Sequence, residues 1–123
     1  MKNISIYLDF LKEKGKPLSE INIGSDEIAL MVSDALQALE LLISNQTAIL
    51  GGDILSEANN ELIYAYQLWG EEYQYLSWYC DKANNESQED YIRRSYVVAK
   101  ENIKIANDTA KSLNKECYIV IVV

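Results

Sequence analysis

The sequence predicts an α+β fold: an antiparallel sheet of about four strands, with two long helices on one face and a short helix at the N-terminus. Three observations predict it. Residues 26–44 and 88–113 repeat apolar side chains at helical spacing. Between them, residues 47–81 switch to the two-residue alternation of strands. The connections inside that stretch are too short for crossovers, so its strands run antiparallel.

The elements follow in order. Residues 3–14 read as a helix with Ile4, Tyr7, Leu8 and Leu11 on one face, stopped by Gly15 and Pro17. "LSEINIG" is a loop. Ser25 is the expected N-cap of the next helix, with Asp26 and Glu27 in its first turn, where they complement the helix dipole. Ile28, Val32, Ala35, Leu36, Leu39, Leu42 and Ile43 form its apolar stripe, and "SNQ" ends it. A three-stranded meander follows: "TAILGGDILSE", the turn "ANN", "ELIYAYQLW", the turn "GEE", and "YQYLSWYC". The polar "DKANNESQED" leads into the last helix, capped by Ser87. Its stripe of Ile92, Tyr96, Ala99, Ile103, Ala106, Ala110 and Leu113 contains alanines that permit close approach. "ECYIVIVV" is a final strand, apolar on both faces and therefore central or well covered.

A chain of 123 residues is long enough for one domain with a single core. No stretch reaches the roughly 18 apolar residues that span a bilayer. The first residues are too charged for a signal peptide, so the expected location is cytoplasmic. Cys80 and Cys117 lack close spacing, and there is no histidine to complete a zinc site; they read as buried free thiols. The lack of histidine also removes the commonest general base. Charge is uneven. Residues 20–90 hold fourteen acids and one base, Lys82, in a chain whose net charge is −8. Such a field repels nucleic acid and anionic membrane. It keeps a protein soluble, and it steers a basic partner; the count alone fits both.

Two stretches stand out as candidate sites. Gly51-Gly52-Asp53 has neither the lysine nor the following helix of a phosphate loop, and no acids converge with Asp53 to hold a metal. A glycine pair within a strand reads as a bulge or bend in which positive φ re-aims Asp53, or as bare backbone that a neighbouring element approaches. The second stretch holds seven of the twelve aromatic residues: Tyr64, Tyr66, Trp69, Tyr73, Tyr75, Trp78 and Tyr79. They fit a core beneath the helices. They equally fit an exposed surface, with tyrosine rows paired across a hairpin on the open face of the sheet and rimmed by Glu57, Glu61, Glu71 and Glu72. In "RRSY", Arg93 and Arg94 are spaced to pair with Glu89 and Asp90 one turn earlier. No catalytic constellation can be assembled, and no cofactor is expected.

The combination of "DALQALELL" leading to "AILGGDI", then "WYCD…ES" and "YIRRSYVVAKENI", resembles the bacterial immunity protein 40 family over roughly residues 20–105. These are small proteins expected to protect a cell against a polymorphic toxin of its own kind. The resemblance implies an α+β fold, a cytoplasmic location and a protein partner instead of a substrate. That partner is a cognate toxin domain, basic and commonly a nuclease. The surface expected to bind it comprises Asp53, Glu57, Glu61, Tyr64, Tyr66, Trp69, Glu71, Glu72, Tyr73 and Tyr75, with Gly51, Gly52 and Trp78 as structural residues. A second reading is a small-molecule-binding or regulatory module with a pocket between sheet and helices near Gly51, Gly52 and Trp78. A third is an enzyme using Asp53 or a cysteine, which requires a concave site with several perturbed titrating groups.

Overall fold

A computed structural model describes residues 4–123. Helix α1 spans Ser5–Lys14; Asn3, the expected first residue, lies outside the described residues. Tyr7 is buried, and Ile4, Phe10 and Leu11 pack beside it. Leu8, expected on the same face, is exposed. Gly15 ends the helix, and the chain enters a two-residue strand, β1, Lys16–Pro17.

The next element corrects the sequence reading. Residues Ile28–Met31 form strand β2, and helix α2 begins only at Val32, running to Ser44. Ile28 and Val32 share a helical spacing, but Ala29 and Leu30 are both buried, one on each face of the sheet, which only a strand allows. The Ser25 hydroxyl accepts the Glu27 N–H at 3.1 Å within the preceding loop and caps no helix. Met31 precedes α2 without a side-chain cap.

The sheet has six strands, not four. Its order is β1-β2-β6-β3-β4, with β5 also on β3. Strand β3, Gly51–Ala58, pairs antiparallel along one edge with β6, Tyr118–Val122. Strand β6 is central, as its double-sided apolar sequence demands. Along the other edge of β3 lie β4, Glu61–Tyr64, opposite residues 55–58, and β5, Trp78–Tyr79, opposite Gly52 and Gly51. β4 and β5 therefore run in the same direction as two pieces of one row. The expected meander is a single hairpin whose second arm is interrupted. Residues 65–77 leave the row as a helical excursion: α3, Ala65–Trp69, then Gly70, then a 3₁₀ turn over Glu71–Leu76. Gly70 has φ 129°, a conformation that L side chains rarely adopt. The excursion forms because it turns Ala65 and Leu76 into the core, with Trp69 and Tyr73 packed against it. The alternating "YAYQLW" pattern does not exclude a helix over so few residues.

Helix α4, Gln88–Leu113, matches its sequence signals. The Ser87 hydroxyl accepts the Asp90 N–H at 3.1 Å, and Asn114 closes the helix in the left-handed conformation with φ 57°. Its buried alanines let it pack closely beside Ala35, Ala38 and Leu39 of α2.

The sheet carries apolar clusters on both faces. On the helix side, Leu30, Ile54, Ile119 and Ile121 meet α2, α4 and Trp78. On the other, Ala29, Leu55, Leu62, Tyr118 and Val120 gather against Leu18, which is fully buried. The face expected to stand open is thus partly covered by Leu18 and the loop that follows, held by the Leu18 N–H to the Glu27 carbonyl at 3.0 Å. Burying a leucine of this kind stabilises the fold by about 1.5–3 kcal/mol. Among the described residues, no helix is long and apolar enough to cross a membrane.

Candidate interaction surface

The Gly51–Gly52 pair answers to packing. Neither glycine has positive φ, and the register of β3 with β6 runs through both without a bulge. The expected bend is absent because Trp78 needs the room. A Cβ on Gly52 would overlap the Trp78 indole, and one on Gly51 would strike the Trp78 carbonyl. The indole lies against bare backbone on the helix side of β3, and it occupies the place where the pocket reading put a ligand.

Around this contact the chain is tied at several points. The Ile49 N–H donates to the buried Ser95 hydroxyl at 3.0 Å, and that hydroxyl donates to the Ile92 carbonyl at 2.8 Å. The Cys80 N–H donates to the Leu50 carbonyl at 2.8 Å, and the Tyr91 hydroxyl donates to the Cys80 carbonyl at 2.6 Å. Arg93 pairs with Glu89 at 2.6 Å, as its spacing predicts. Arg94 does not pair with its neighbours of the preceding turn. Its guanidinium makes a fork with Glu86 at 2.8 and 2.9 Å and donates to the Asp81 carbonyl at 2.6 Å. It also points at the Cys80 sulfur, 3.3 Å away. Hydrogen bonding from Arg94, with help from the Ala83 N–H, holds the Glu86 carboxyl down at about 2. The segments "AILGGD", "WYCD…ES" and "YIRRSY" therefore meet as one structural knot.

The candidate binding residues form two groups. On the sheet face away from α2 and α4, Asp53 and Glu57 project from β3 and Tyr64 from β4. Tyr64 stacks with Tyr66, ring centres 6.1 Å apart. Burial first, then the carboxylates of Asp53 and Glu27, raise the Tyr64 hydroxyl above its ordinary value. Glu57 is committed to the fold: it pairs with Lys16 and lies 3.3 Å from the Tyr118 hydroxyl. Glu61 is exposed at the start of β4.

The second group sits on the excursion. Trp69 and Tyr73 meet edge to face at 6.0 Å, and Tyr73 and Tyr75 are tilted at 6.5 Å. Trp69 and Tyr73 are half-buried against the core, whereas Tyr75 is 66% exposed. Glu71 and Glu72 are exposed beside them. The tyrosines do not form paired rows across a hairpin, because Tyr66, Tyr73 and Tyr75 lie on helical backbone. Among the described residues, Asp53, Glu61, Glu71 and Glu72 take part in no ion pair, unlike Glu57.

Two residues outside the predicted set belong to this description. Tyr79, opposite Gly51 on the face away from Trp78, is 86% exposed. Its place in the alternation with Trp78 is the signal that could have found it. The Glu27 carboxylate, on the loop, acts on Tyr64 through its charge, which no local pattern reveals. Both cysteines are free, and burial pushes the Cys117 thiol up to about 12, so it stays protonated at neutral pH.

The family model described as immunity protein 40 matches residues 17–123. No curated protein and no solved structure matches.

Proposed function

The chain belongs to the immunity protein 40 family, and on that premise we propose that it binds and neutralises a cognate toxin domain through the acidic, aromatic surface of residues 53–75. Membership supports a role in toxin systems and a toxin as partner. The observation that carries the choice of surface is the coincidence of two properties: carboxylates that form no ion pair among the described residues, at Asp53, Glu61, Glu71 and Glu72, beside rings that are only partly buried, at Tyr64, Tyr66, Trp69, Tyr73 and Tyr75.

The two properties do different work in this proposal. Such carboxylates raise the local concentration of a basic partner and speed encounter, an effect that falls with ionic strength. Where the toxin is a nuclease, they occupy the cationic groove that would otherwise hold phosphates. The rings supply rigid apolar area that is desolvated on contact and slows dissociation. Glu57 contributes less, because Lys16 already neutralises it. Tyr79 and Glu27 extend the surface.

The test is co-expression with the toxin-like product of the adjacent gene, followed by binding kinetics. Complex formation with fast, salt-sensitive association is expected. A chain that neither co-purifies with that product nor protects cells from it would defeat the proposal.

A further inference from the structure

The outer surface of α2 and α4 has the opposite character. Helices α2 and α4 leave a groove along their outer surface. Its two depressions, of about 490 and 500 Å³, share Val32, Leu36 and Asn107. The wall is apolar, with Val32, Leu36, Tyr96 and the half-exposed Val97. At one end the Tyr96 hydroxyl donates to Glu40 at 2.6 Å and ties the helices together. Along the rim stand Lys100, Lys104, Lys111 and Lys115. Lys100 lies 5.7 Å from the centre of the Tyr96 ring, and none of the four forms an ion pair among the described residues. Glu101 and Glu116 also line the groove, so its side chains still sum to a positive charge in a chain of net −8. No residue of the groove belongs to the acidic surface.

We infer that this groove docks a helical segment of a partner protein that is apolar on one face and flanked by aspartate or glutamate. The stretch from Val97 to Lys111 runs roughly 20 Å at 1.5 Å per residue, which matches a partner helix of about four turns. Apolar anchors at i, i+4 and i+7 would enter between α2 and α4, as in helix-in-groove recognition, and flanking carboxylates would meet the lysines. A concave, apolar floor favours a helix over a flat bilayer, and the net negative charge opposes both anionic lipid and nucleic acid.

The probe is a synthetic helix of about 16 residues with leucine at the anchor spacing and glutamate on both flanks; its isomer carries lysine instead. Binding is read by fluorescence anisotropy and by amide shifts of the isotope-labelled chain. The glutamate peptide is expected to bind at least about tenfold more tightly than the lysine isomer, with shifts confined to Val32, Leu36, Val97, Lys104 and their neighbours. Lys104→Glu with Lys111→Glu should weaken it by about tenfold or more, and the glutamine pair by less, with unchanged circular dichroism. Equal binding of both peptides, shifts elsewhere, or no effect of charge reversal would overturn the inference. So would lysine-dependent binding of phosphatidylserine vesicles without peptide binding, or concentration-dependent self-association abolished by the same variants.

Discussion

The excursion after β4 and the β5 end of the row use the same residue types differently. At the β5 end, Trp78 is buried against Gly52, and the charged pair Arg94–Glu86 fastens a loop. On the excursion that precedes it, Trp69 meets Tyr73 edge to face, Tyr73 and the exposed Tyr75 are tilted, and Glu71 and Glu72 form no ion pair among the described residues. An aromatic in this chain is thus structural where the core closes around it, and an acid where a cation holds it; each is available where that is missing. The segments that carry the family resemblance fall mainly at the structural end.

Substitutions in the two regions should therefore separate stability from binding. The largest stability loss is expected for Trp78→Ala, about 3–5 kcal/mol by chemical denaturation, as for other large buried rings. Gly52→Val should cost about 1–3 kcal/mol in the native chain, because its side chain meets the indole. The same change in the Trp78→Ala background should cost less, and additive losses would break the proposed contact. Ser95→Ala leaves the buried Ile49 N–H without its acceptor, and a loss of about 1–3 kcal/mol is expected.

Acid sensitivity sharpens the contrast. Glu86 titrates at about 2 in the folded chain against an ordinary 4.5. Its pKa is depressed on folding, so its contribution is complete above about 4.5 and is lost as pH falls toward 2. Melting temperature followed over that range should fall less steeply in Glu86→Gln than in the native chain. An unchanged slope would mean that Arg94 does not hold this carboxylate. The smallest stability effect belongs to the excursion: Glu71→Lys and Glu72→Lys should each stay within about 0.5 kcal/mol of the native chain.

Much of the fold was legible because its signals are local. Ser87, the stripe of α4 and the double-sided apolar run of β6 each act on their own segment. The misreadings share a cause. Ile28–Met31 is a strand because β6 lies beside it, and residues 65–77 leave the sheet because Ala65 and Leu76 find burial elsewhere; both depend on distant chain. Short apolar segments satisfy either period, so tertiary contacts decide. The residues of the candidate surface could be named from the sequence, but not their division into two groups. Lys16, 41 residues from Glu57, neutralises one member, and nothing in the local pattern marks that pairing.

The most direct test is the association rate with the cognate toxin domain, measured at low and high salt, for the native chain and for the variant Glu61→Lys, Glu71→Lys, Glu72→Lys. At low salt the variant should associate at least about tenfold more slowly, with its salt dependence flattened and its thermal stability preserved. An association rate and salt dependence equal to those of the native chain would contradict the acidic surface as the site of encounter.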